Sequence, residues 1–180
     1  MKYQDYIKDY DVVYENHPGR RRPVPHRIYI GTYYRFSEPR ERVRFLRWLY
    51  SVGLGVIALC LIVPMFMDCV FTRIWYIQVP SVAVCIPLYL SLGSMYRIWR
   101  AGEKVTREHS YLITQRMNGC MVAMILLYTI SASGCVYGLM FGDACIADWV
   151  VSICSLIGLA VSIVLFMQRS GLKMVPVEEN

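Results

Sequence analysis

Residues able to carry chemistry are few in this chain and poorly grouped. Its histidines are His17, His26 and His109. His109 stands beside Ser110 in "TREHSYLITQR", an order that imitates a base next to a nucleophile. Adjacent helical residues point in different directions, so the pair reads as part of a solvated face. The seven cysteines, at 60, 69, 85, 120, 135, 145 and 154, show no CxxC spacing and no clustering with histidine, so no metal is expected. Most fall inside apolar runs, where cysteine acts as a small apolar residue. Cys69 and Cys145 stand near the outer ends of those runs and form a candidate disulfide. HExxH, GxSxG, P-loop and dinucleotide signatures do not occur. These residues predict neither an enzyme nor a cofactor.

Two other patterns are more regular. Arginines gather in "HPGRRRPVPH" and just after it (Arg20, Arg21, Arg22 and Arg27), and again in "EPRERVRFLRW" (Arg40, Arg42, Arg44 and Arg47), where Phe45, Leu46 and Trp48 are interleaved. A basic and aromatic approach to an apolar run fits a segment lying at the level of lipid headgroups. Both clusters are candidate contacts for anionic lipid headgroups or an acidic partner; for the first, a solvated turn is the simpler reading. Small residues form the other pattern: Ser131, Gly134, Gly138 and Gly142 recur at three- and four-residue intervals, and Ser155, Gly158 and Ser162 make a similar face further on. Such stripes let helix backbones approach closely in a bilayer, where apolar burial gives no drive for association. The simplest partner is the neighbouring helix of the same hairpin; a seam to a second copy or to another membrane protein is the alternative.

The elements that position these residues follow from composition. The 180 residues are 56% hydrophobic and 18% charged, too apolar for an ordinary soluble domain. The excess lies in four uncharged stretches, 48–67, 74–96, 117–141 and 149–167. A hydrocarbon core of about 30 Å takes roughly 20 helical residues, so each stretch is long enough to span it. No charged residue or histidine interrupts them, which disfavours an ion path or proton relay using a buried carboxylate. Thr129, Ser131 and Ser133 remain as hydroxyls able to line a pore in an oligomer. Pro64, Pro80 and Pro87 predict static kinks.

Charge sets the expected orientation. Of 19 Lys and Arg residues, 11 precede the first stretch, five lie between the second and third, and two follow the fourth; only Arg73 falls elsewhere. The positive-inside rule then places both termini and the 97–116 loop in the cytoplasm. The net charge of +6 follows from that retention and requires no nucleic acid.

The expected architecture is an all-α membrane protein, four transmembrane helices forming two in-out-in hairpins, with a small cytoplasmic N-terminal β-hairpin. Residues 1–37 form the N-terminal segment, 38–167 the transmembrane domain and 168–180 a cytoplasmic tail. Within 1–37, Tyr3, Tyr6 and Tyr10 mark a short helix; "DVVYEN" (11–16) and "RIYIGTYYRF" (27–36) mark two strands around a turn at Pro18-Gly19. The first transmembrane helix should begin near Pro39 and run unbroken into its span.

One signature recurs: "WRAGEK" closes the second stretch and "QRSGLK" the fourth. Helices leaving at the cytoplasmic face account for it, with the glycine in a left-handed cap; a duplicated hairpin is the alternative. The function expected is that of an accessory, scaffold or regulatory subunit of a membrane complex at the cell membrane, without catalysis of its own. Its partners would be the lipid bilayer and another membrane protein or itself. A homo-oligomeric channel or small transporter is the alternative.

Overall fold

A computed structural model describes residues 10–15, 24–67, 70–101, 105–141 and 145–177. It is mostly helical, with four helices long and apolar enough to cross a membrane: Arg40–Met65, Trp75–Arg100, Arg107–Met140 and Ile146–Leu172. The first is α1 (Arg40–Met65), which runs without a break through both the arginine cluster and the apolar stretch, as its sequence predicts. The second consists of α2 (Trp75–Ala83) and α3 (Cys85–Arg100), separated at Val84. Pro87 explains the interruption, since it cannot donate to the carbonyl of Ala83 four residues earlier. The third begins as α4 (Arg107–Tyr111), passes through a wide π turn (Leu112–Arg116) and continues as α5 (Met117–Phe141). The fourth is α6 (Ile146–Met167), extended by a 3-10 turn, Gln168–Leu172.

One stripe of each helix faces the core. On α1 it is Leu46, Tyr50, Leu54, Ile57 and Leu61, at spacings of three and four, packed against Met95 and Ile98 of α3, Met117, Met121, Met124 and Tyr128 of α5, and Leu165 of α6. Tyr50 Oη donates to the Leu165 carbonyl at 2.6 Å, so the one polar atom of that stripe is satisfied. The outer faces are equally apolar. Val52, Leu59, Ile86, Leu126, Ile153 and Val164 are all exposed, an apolar girdle far beyond what a water-facing surface carries.

The strands differ from the sequence expectation. β1 (Tyr10–Glu15) pairs antiparallel with β2 (Val24–Tyr29), Tyr10 opposite Tyr29 and Glu15 opposite Val24. The second strand of the hairpin therefore starts at Val24, earlier than expected, and takes in Pro25 and His26 from the basic loop. A two-stranded sheet has only edges, where proline is tolerated. The run 27–36 is not one strand: the chain bends at Gly31, and β3 (Tyr34–Phe36) pairs with β4 (Met174–Pro176) from the C-terminal tail. On its other edge Tyr34 exchanges two hydrogen bonds of 2.8 Å with Val105. The segment after the hairpin, the 97–116 loop and the tail are thus knitted together at one end of the bundle. The expected short helix over residues 3–10, the Pro18-Gly19 turn, and Arg20, Arg21 and Arg22 fall at or beyond the limits of the described residues.

The recurring signature has two different endings. α3 passes directly into extended backbone at Ala101, whereas α6 tightens into the 3-10 turn. Gly171 does not occupy the left-handed region; a Cβ there would come 2.5 Å from Leu46 Cδ1, so the buried Leu46 side chain would have to shift. Gly102 lies outside the described residues. With α2 and α3 interrupted and α6 continuous, the second and fourth helices share an exit sequence but not a structure.

Candidate functional site at the basic end of the bundle

Arg40, Arg44 and Arg47 recur at four and three residues, which places them on one side of the first turns of α1. Opposite them β3 holds Arg35 and Phe36, fixed by β4 on one edge and by Val105 on the other. Together with Trp99 they line a groove of about 790 Å³. Arg47 is its deepest charge. Its guanidinium sits 5.8 Å from the Phe36 ring centroid, Nη2 donates to the Ala101 carbonyl at 3.3 Å, and its enclosed Nε has no partner. Arg42 does not line this groove, but it meets Glu38, an acidic residue that does, at 3.6 Å. Arg27 stands in β2 opposite Val12.

Trp99, which lines the groove, meets the Trp48 ring edge to face at 5.7 Å, and its Nε1 donates to Ser51 Oγ at 3.0 Å. Phe45 and Trp48 are exposed beside the arginines. A second groove, of about 820 Å³, lies on the other side of α3, where Arg97, Arg100, His109 and Arg116 surround Tyr89 and Tyr96. Arg100 stacks 5.1 Å from the Tyr96 ring centroid. His109 Nδ1 is 2.9 Å from Thr106 Oγ1, and Ser110 is buried rather than part of a solvated face. Among the described residues no group of three or more His, Cys, Asp or Glu side chains could hold a metal, and Cys145 is free; Cys69 lies outside the described residues.

Both grooves combine guanidinium groups with aromatic walls at the boundary between a charged surface and an apolar girdle. Guanidinium offers planar paired donors to phosphate and stacks on rings, chemistry suited to a phosphodiester whose acyl chains continue along the exposed helix faces. Arg35 and the α3 arginines escape a reading by charge clusters, because they join the site only through the β3–β4 pairing and the return of the first hairpin.

The small-residue stripe packs within the chain, but not as its sequence suggests. A Cβ on Gly134 would lie 2.9 Å from Ile77, and one on Gly138 would lie 2.8 Å from Phe71, so these glycines admit α2 and the first-loop turn rather than their hairpin mate α6. Gly158 does face α5: a Cβ there would come 2.5 Å from Tyr128. Ser131 joins three helices, its Oγ lying 2.8 Å from Ser81 Oγ and 3.4 Å from Ser155 Oγ. Ser162 is buried and donates to the Gly158 carbonyl at 2.7 Å. Gly142 lies outside the described residues.

Asp148 is the residue that a scan of the sequence for charge undervalues. It is fully buried at the start of α6, where Oδ2 accepts from the Cys145 amide at 2.9 Å and Oδ1 from the Phe71 amide at 3.0 Å. The signal was "CIAD", a capping box with cysteine in the cap position. Compared with family models, curated proteins and solved structures, the chain has no match.

Proposed function

We propose that this chain is a multi-pass protein of the cell membrane that performs no catalysis and serves as an accessory, scaffold or regulatory subunit, with both termini and the 97–116 loop in the cytoplasm. The observation that carries the reading is the knitting of three separate segments, through β3, β4 and Val105, into one basic end flanked by apolar helix faces. The 18 basic residues outside the first loop belong to segments that this arrangement would hold on the same side, in keeping with the positive-inside rule. The two grooves offer that end to anionic headgroups or to an acidic membrane partner.

A channel or transporter gains less support. The axis of the bundle is filled by Leu54, Ile57, Met121 and Met124, each at most 1% exposed. Of the hydroxyls able to wet a pore between copies, Thr129 and Ser133 donate to carbonyls of their own helix at 2.7 and 2.9 Å.

The mass and composition of the complex extracted in mild detergent test the proposal. A partner protein present in fixed stoichiometry is the expected result. A homo-oligomer alone, conducting ions or solute after reconstitution, would overturn it in favour of the channel.

A further inference from the structure

The two basic grooves differ in how far they reach along the helices. The first is lined on α1 no deeper than Arg47 and on α3 only by Trp99. The second follows α3 from Arg100 and Arg97 past Tyr96 and Gly93 to Tyr89. Intervals of three and four residues put these positions on one face, and the rise from Tyr89 to Arg100 is about 16 Å. One end of the groove thus stands at the charged boundary of the bundle and the other in its apolar girdle, where Tyr89 and Leu92 are exposed. Gly93 is an open floor between them: a Cβ there would meet nothing within 4 Å.

Three guanidinium groups gather at the charged end. Arg97, half-buried, and Arg100, exposed, come from the last turn of α3, and Arg116, exposed, closes the π turn. Ser94 Oγ ties that turn to α3, reaching the Leu90 carbonyl at 3.1 Å and the Leu112 carbonyl at 3.3 Å. Among the described residues no carboxylate lines the groove, and no ion pair engages any of the three arginines. Arg100 lies over the Tyr96 ring, a contact that uses none of its N–H donors. Three accessible and uncompensated positive charges repel one another, and a single phosphodiester neutralises only one of them.

We infer that this second groove is a binding site for a membrane lipid whose phosphate headgroup carries two or more negative charges, the headgroup held by Arg97, Arg100 and Arg116 and an acyl chain lying over Gly93 beside Tyr89 and Leu92. Guanidinium supplies paired donors to phosphate oxygens. An acidic protein segment or a free phosphate would also satisfy the arginines, but either would leave empty the part of the groove that runs down a helix of transmembrane length. The inference deepens the headgroup contact proposed for the basic end and rests on it.

The test titrates the full-length protein in mild detergent with dioctanoyl phosphatidic acid, whose phosphomonoester carries nearly two charges at neutral pH, and with dioctanoyl phosphatidylglycerol, which carries one. Bound lipid is counted by native mass spectrometry. Phosphatidic acid should bind about fivefold tighter or more, the factor expected for one further charge at a basic surface. Arg97→Gln with Arg116→Gln should abolish that preference. Gly93→Leu, which fills the open floor without meeting a neighbour, should weaken both lipids severalfold, keep the preference and leave the lipid-free thermal stability unchanged. Equal affinity for the two lipids, a preference that survives the double arginine variant, or unchanged binding in Gly93→Leu would overturn the site. Displacement of the lipid by an equal concentration of inorganic phosphate would overturn it in favour of a free phosphate. Binding of neither lipid would overturn the headgroup contact of the basic end and the inference with it, so the two failures are distinguishable.

Discussion

Gly158 and Gly55 both lie inside transmembrane-length helices, yet a methyl group would meet very different surroundings. At Gly158 it would press on the Tyr128 ring; at Gly55 nothing lies within 4 Å. Gly55→Ala should be neutral or stabilising by about 0.5–1 kcal/mol, the ordinary gain of alanine over glycine in a helix. Gly158→Ala should cost about 1–3 kcal/mol, because the Tyr128 ring is buried in the core and cannot give way freely. Thermal unfolding of both variants in detergent checks the pair, and equal midpoints would mean that α5 and α6 are not so close. At the basic end, Arg44→Gln with Arg47→Gln should reduce severalfold the anionic phospholipid that co-purifies with the protein, measured by lipid mass spectrometry. Arg42→Gln, at a position that does not line the groove, should change it little. The small residues and arginines were legible in the sequence because spacing reveals a face. Their partners were not, since spacing says nothing of which helix stands opposite: Gly138 found Phe71, and Arg47 found Phe36.

Among the elements, the long apolar helices were the most legible, because a run of about 20 uncharged residues admits few alternatives. The short strands were the least. β3 and β4 have three residues each and lie 138 positions apart at Phe36 and Met174, so only the folded bundle brings them together. The break at Val84 was foreshadowed by Pro87, whereas the π turn at Leu112–Arg116 has no comparable signal. Asp148 shows how one buried carboxylate joins elements: it caps α6 and receives the Phe71 amide of the first loop. Asp148→Ala leaves the buried Phe71 amide unpaired and removes the cap of α6, and should lower stability by about 1–3 kcal/mol. Asp148→Asn retains one acceptor and should cost less. Hydrogen exchange at Phe71 should rise in the alanine variant while the core of α1 stays protected; unchanged exchange would show that the two loops are held by packing alone.

At the scale of the whole molecule, the four helices, the apolar girdle and the basic end form one arrangement, and the orientation proposed for it rests on the asymmetry of its charge. The sequence carried that asymmetry openly, in 18 of 19 basic residues. It did not carry the sheet that draws the N-terminal segment, the 97–116 loop and the tail together, which depends on contacts between distant residues. Orientation is the claim on which the lipid contact and the partner face both depend. The direct measurement is labelling by a membrane-impermeant maleimide on intact cells, with the other cysteines removed, comparing native Cys145 with Ser170→Cys; both positions are exposed, at opposite ends of α6. Cys145 should react from outside, and Ser170→Cys only after the membrane is permeabilised. Labelling of both positions before permeabilisation, or of Ser170→Cys alone, would contradict the assigned orientation.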